Sequence, residues 1–199
     1  MSSIVQKEER RNVVTTVAMD SVGLCAHFSE KGDWAFDFAF ALARRHKSQL
    51  NIFYFLRSPY EKYAEPPGRG RKADDQVLIA TDRKLREYYD KCLGEYVDVG
   101  FKVCEETRHS KELRTCLMQR EYELLIIPYL ERDITFGNIP IEEFAYRFTA
   151  PVVLVGPERP DQYYLNPSAV LLVDRLALPA ESWERISLES FHRSATPAS

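Results

Sequence analysis

Two apolar runs late in the chain, Glu123-Leu-Leu-Ile-Ile-Pro128 and Pro151-Val-Val-Leu-Val-Gly156, restrict its fold more than any other feature. Each is continuously apolar rather than alternating, the pattern of a strand covered on both faces. Between them lie a polar crossing, Tyr129 to Pro140, and a segment of helical length, Ile141 to Ala150. Strands of this kind joined through a helix run parallel and cross over right-handedly. Ligands of open parallel sheets sit outside the carboxyl ends of the strands. The crossing after Ile127 is therefore the first place to look for function.

The same alternation extends upstream. Asn12 to Met19 is a short β-branched run that predicts the first strand, with Asp20 at its end. Ser21 to Gly32 then reads as a loop longer than the usual strand-to-helix connection, expected to fold over the cleft at that strand's carboxyl end. Asp33 is placed to cap a helix over Trp34 to Arg45, with Ala35, Phe38, Ala39, Leu42 and Ala43 on one face. Leu50 to Leu56 predicts a second strand. A loop from Ser58 to Ala73 follows, with a basic tip, Gly68-Arg-Gly-Arg-Lys72. Asp74 or Asp75 opens a helix whose buried face is expected to carry Leu78, Thr81, Leu85, Tyr88, Cys92 and Tyr96. Val99 to Glu105 predicts a strand and Ser110 to about Arg120 a helix capped by Ser110.

The expected fold class is α/β, a five-stranded doubly wound parallel sheet with helices on both faces, followed by a C-terminal extension. Residues 1–11 are read as a flexible N-terminus, 12–157 as the domain and 158–199 as the extension. Within the extension, Ser168-Ala-Val-Leu-Leu-Val173 reads as an extra strand in need of a partner, and Ala180 to Phe191 as a short helix.

Charge and cysteine content narrow the partners. The chain of 199 residues carries 27 basic and 30 acidic side chains, a net charge of −3. Binding to a nucleic-acid backbone draws on a surplus of positive charge, so no nucleic-acid partner is expected. Four cysteines, Cys25, Cys92, Cys104 and Cys116, form no CxxC pair and have no histidine at metal-ligand spacing. They are expected to be free thiols in a reducing cytoplasm, and no metal site is expected. No apolar run is long enough for a membrane span, and Met1 to Arg11 lacks the apolar core of a signal peptide.

Together these residues resemble the universal stress protein domain. Ala35-Phe-Asp-Phe-Ala-Phe-Ala-Leu-Ala43 is similar to the family's Ala-Leu-x-x-Ala-x-x-Leu-Ala helix. Tyr122-Glu-Leu-Leu-Ile-Ile127 resembles its Asp-Leu-(apolar)3 strand, and Ala150-Pro-Val-Val-Leu-Val155 its closing Pro-Val-Leu-Val-Val. The resemblance covers about residues 12–156. It implies an adenine nucleotide alpha hydrolase-like sheet and a homodimer formed through the last core strand, the C-terminal extension or both. The expected role is a regulatory or binding module acting through a protein partner or a small ligand; the alternatives are an AMP- or ATP-binding member with an altered phosphate loop, or an accessory subunit of a larger assembly.

The ATP-binding members carry Gly-x2-Gly-x9-Gly-(Ser/Thr) after the fourth strand. Glycines let backbone N–H groups approach the phosphates, and a helix N-terminus receives their charge. Here the first glycine position holds Pro128 and the second Glu131. Proline offers no N–H, and two like charges about 4 Å apart repel by about 4 kcal/mol near a protein surface. Neither ATP nor AMP is therefore the favoured cofactor. The residues left as nucleotide-site remnants are Asp20, where the family meets adenosine, Ser21 beside it, and Gly137 and Asn138, nearest to the motif's end. Asp20 reads equally as a strand-end acid or cap. Cys25 with His27 could form a thiolate pair, and His109-Ser110 could open an anion-binding helix, but spacing selects neither. No catalytic residue is assigned, and an enzyme is not expected.

Overall fold

The structure, a computed structural model, describes residues 18–63, 75–105, 109–119 and 121–189. Its sheet has the strand order β3 (Val99–Cys104), β2 (Gln49–Phe55), β1 (Ser21–Cys25), β4 (Leu124–Pro128), β7 (Val152–Val155), β8 (Tyr163–Leu165) and β9 (Trp183–Arg185). The five-strand parallel core consists of β1, β2, β3, β4 and β7. Between β4 and β7 the crossing folds a small antiparallel hairpin, β5 (Thr135–Phe136) and β6 (Ile139–Pro140). The fold class read from the sequence is therefore present, and its core is extended to seven strands by β8 and β9.

Helices cover both faces. On one lie α1 (Glu30–His46) and α2 (Asp75–Leu93), on the other α3 (Ser110–Leu117) and α4 (Ile141–Arg147). The strands serve two cores at once because successive side chains point to opposite faces. Leu124 and Ile126 join the core under α1, whereas Leu125 and Ile127 join the one under α4. Ala35, Ala39 and Ala43 are fully buried, so α1 lies close on the sheet. Arg44, Arg45 and His46 in its last turn complement the helix dipole.

The first strand is displaced from its expected place. Residues 12–17 lie outside the described residues, as do 1–11, and Ala18 to Asp20 are not strand; β1 begins at Ser21. The segment expected as a long loop over the cleft is thus the central strand and the start of α1, with only Ala26 to Ser29 between them. Gly23 conceals the strand, since an apolar reading skips a glycine. The space over it is tight, because a Cβ there would stand 3.1 Å from the side chains of both Tyr122 and Leu125. The α1 cap is Ser29, whose hydroxyl accepts from Gly32 N, and not Asp33. The buried stripe of α2 is Leu85, Tyr89 and Leu93, one residue round from the expected Tyr88 and Cys92, which is exposed. The cap of α3 is His109, not Ser110.

The extension also differs. Ser168 to Val173 is not a strand but α5 (Pro167–Val170), a turn and the start of α6 (Val173–Leu176). Asn166 caps α5 and Pro167 sits at its first position, a helix start that outweighs the β-branched content. Of the helix expected over Ala180 to Phe191, Ala180 to Ser182 is a 3-10 turn leading into β9, only Leu188 and Glu189 are helical, and 190–191 lie outside the described residues. Cys104 and Cys116 form a disulfide between the end of β3 and α3, a correction to the expectation of free thiols; Cys25 and Cys92 are free. Among the described residues no helix is long and apolar enough to cross a membrane.

Candidate functional site

Strand order reverses between β1 and β4, so the crevice of interest lies above Cys25 and Pro128. It is occupied by the protein itself. The loop after β2 carries Tyr60 into it, with no exposed surface. The Tyr60 hydroxyl donates to the carbonyl of Pro128 at 2.5 Å. Its ring meets His27 edge-on at 5.4 Å and Phe136 at 4.8 Å. Burial pushes its phenol well above the usual range. Tyr60 also makes an antiparallel bridge to Phe136, and Gly137 N donates to Pro59 O at 2.9 Å. The β5–β6 hairpin and the loop after β2 therefore close over the crevice as one lid-like layer.

The cations beside the crossing are already paired. Arg132 donates to both oxygens of Glu158, at 2.7 and 3.1 Å, and to the Tyr164 hydroxyl at 2.6 Å. That interaction holds Glu158 below its ordinary carboxylate range. Lys62 pairs with Glu131 at 2.9 Å, and Lys31 donates to the Leu130 carbonyl. Tyr129 is fully buried and donates to Glu142. A phosphate entering here would have to displace these contacts. Beside Tyr60 remains a cleft of about 190 Å³, lined by His27, Phe28, Tyr54 and Pro59 among others. Ligand pockets usually run from roughly 300 to 1,000 Å³.

The residues expected as nucleotide-site remnants do not come together. Asp20 precedes β1 instead of ending it, and its N–H donates to Glu123 Oε2 at 2.5 Å. Ser21 is the first residue of the strand. Both thus lie at the sheet's amino end, roughly 15 Å of strand away from the crevice. Gly137 and Asn138 do reach the crossing, but as the two central residues of the hairpin turn, with φ of 64° and 66°. Two positive φ values are the signature of a type I′ turn, whose twist matches the strands it joins. This turn packs on the first turn of α3. A Cβ on Gly137 would lie 3.0 Å from Ser110 Cα, and Asn138 Nδ2 donates to His109 Nδ1 at 2.8 Å. The start of α3 is covered by the chain's own hairpin.

Neither pair left open by spacing behaves as a catalytic unit. Cys25 is buried in the core under α4, and burial pushes its thiol up, the opposite of an activated nucleophile. His27 is half-buried, and desolvation lowers its pKa from the ordinary imidazole value. Its Nδ1 lies 2.8 Å from the Ser29 hydroxyl, whose oxygen accepts from Gly32 N. That arrangement completes the cap of α1. Among the described residues no group of His, Cys, Asp and Glu could hold a metal ion. The basic tip Gly68–Lys72 lies outside the described residues. Sequence reasoning missed Tyr60, which stands in a proline-punctuated loop with no local pattern to mark it.

No protein-family model and no curated protein matches the chain. Solved structures similar to it include three universal stress proteins. One, from Burkholderia pseudomallei, is 15% identical over 68% of this chain and 95% of its own, with a TM-score of 0.45. A second, a complex with cAMP, is 17% identical over 71% of this chain and 99% of its own, with a TM-score of 0.45. The third, from Archaeoglobus fulgidus, is 13% identical over 69% of this chain and 93% of its own, with a TM-score of 0.46.

Proposed function

We propose that this chain is a regulatory or binding module of the universal-stress-protein type that is not an enzyme, does not hydrolyse ATP and acts through a protein partner. The observation that carries this reading is Tyr60. Its buried ring fills the switch-point crevice, and its hydroxyl takes the Pro128 carbonyl where an ATP-binding relative would present a glycine N–H. The pairing of Arg132 with Glu158 supports it, since the guanidinium best placed to meet a phosphate is engaged on both sides. Titration with ATP or AMP to millimolar concentration is expected to leave the melting temperature unchanged to within about 1 °C. Stabilisation of several degrees at micromolar nucleotide would overturn the reading.

Of the two surfaces expected for a homodimer, the last core strand and the extension, we favour the extension. The outer edge of β7, the last strand of the parallel core, is paired antiparallel with β8 of the same chain. A second copy has no access to it. We assign any homodimer to the extension, where β9 forms the outer edge of the sheet. Light scattering on the full chain and on an Arg185→Pro variant, whose lost N–H faces away from β8, tests this. The proline removes an N–H from that edge strand, and a dimer that persists unchanged would count against this surface.

A further inference from the structure

A groove of about 680 Å³ lies at the far edge of the sheet, between β3 and α3. Cys104 and Cys116 both line it, with Lys102 and Lys111. Cys104 is buried and Cys116 half-buried, so the disulfide can be approached from the α3 side. Its mechanical position is unusual. The eight residues of α3 are too few for a stable helix by themselves, and they bury only Leu113 and Leu117 completely. The disulfide is the covalent tie between this short helix and the sheet.

The other end of α3 supports the closure of the crevice. His109 holds Asn138, and the backbone at Ser110 backs directly onto Gly137. Gly137 in turn donates to Pro59 O, and Phe136 bridges and packs on Tyr60. Tyr60 closes on Pro128. An unbroken set of contacts thus runs from the two sulfurs, through α3 and the hairpin turn, to the side chain that fills the crevice.

We propose that Cys104–Cys116 is a reversible thiol switch whose reduction loosens α3 and the hairpin and so opens the crevice at Tyr60. The reductant is a dithiol. Its thiolate attacks Sγ of Cys116, forming a mixed disulfide, and the Cys104–Cys116 bond breaks. Cys104 leaves with the electron pair and takes up a proton. The reductant's second thiolate then attacks its own bound sulfur and expels Cys116, which is protonated in turn. Two electrons and two protons pass to the protein, and the reductant becomes a disulfide. The groove's lining balances Lys102 and Lys111 with Glu105 and Glu112, so access to Cys116 and not local charge makes this sulfur the point of attack. The switch does not depend on whether the crevice, once open, admits nucleotide.

The test uses the full chain and dithiothreitol. Alkylation of native protein prepared without reductant is expected to label Cys92, leaving Cys25 protected by burial and the other two cysteines unreactive. After dithiothreitol, Cys104 and Cys116 label as well. Hydrogen exchange of the 134–141 amides then rises at least about 10-fold, while β1 and β4 amides stay protected. The Cys116→Ser and Cys104→Ser variants should each show the fast hairpin exchange without reductant. Three outcomes would each overturn the switch: thiols already free in the untreated protein, a disulfide untouched by dithiothreitol in the folded state, or hairpin exchange identical in the oxidised and reduced forms.

Discussion

Replacing Asn166 with alanine will cost the fold about 4 kcal/mol, the largest loss expected from any single side chain in the extension. Asn166 has only 1% of its surface exposed. Its Oδ1 accepts from Val152 N and from Ala169 N, each at 2.9 Å. Its Nδ2 donates to the carbonyls of Ala145 and Ala150, each at 3.0 Å. One amide therefore serves the start of β7, the first turn of α5 and the end of α4. Alanine would leave two N–H groups and two carbonyls without these partners, and an unsatisfied buried group costs roughly 1–3 kcal/mol. Water entering the vacated space would recover part of that sum. The control is Asn166→Asp, which keeps both acceptor contacts but sets a carboxylate against two carbonyls. It should be no better tolerated than alanine. Urea unfolding at constant m-value measures both. A loss below about 1 kcal/mol for alanine would show that these contacts are replaceable.

Gly32→Ala is expected to destabilise by about 3 kcal/mol or more, against the sign that helix propensity would give. Gly32 lies in the first turn of α1, where alanine is ordinarily favoured over glycine by about 1 kcal/mol. Here a Cβ would fall 1.7 Å from the carbonyl oxygen of His27 and 2.7 Å from its carbon. Those atoms are backbone, so no rotamer relieves the overlap. Either α1 or the four-residue connection from β1 must move, and Ser29 then loses its bond to Gly32 N. The clash outweighs the propensity gain by a wide margin. A variant as stable as the parent, by the same unfolding measurement, would show that the connection can shift freely.

The parts of the fold carried by uninterrupted apolar runs were legible in the sequence. Leu124–Pro128 and Val152–Val155 stand within a residue or two of where their composition puts them, because burial on both faces demands that composition. Misreadings arose where one residue type obeys a distant constraint. Gly23 makes Ser21–Cys25 look like a loop, yet it lies in the central strand with Tyr122 and Leu125 packed closely across it. That displacement moved Asp20 from one end of the sheet to the other, and with it the expected adenosine contact. The apolar stretch after Pro167 looked like a strand because its side chains outweighed the Asn166-Pro167 start signal in front of it. Of the candidate site, the substitutions at Pro128 and Glu131 were readable against the family pattern. The occupant of the crevice was not. Tyr60 reaches Pro128 across 68 positions of sequence, and no local spacing encodes such a contact. The Cys104–Cys116 pair likewise shows no motif, since its separation of 12 follows only from the packing of β3 on α3.

The reversal of direction at β8 determines how this protein can be divided. Up to Val155 the chain has the outline of a self-sufficient module, and a genetic boundary drawn at Pro157 would look natural. Such a fragment would carry Val153 to Val155 as a raw apolar rim, with main-chain groups offered to any passing strand. The full chain seals that rim with its own later residues and secures the seal with Ile186, whose N–H donates to Leu165 O at 2.8 Å. Segments 21–155 and 163–186 must therefore be inherited, expressed and transplanted together. Recombination between them would release a protein prone to aggregate, not a smaller working part.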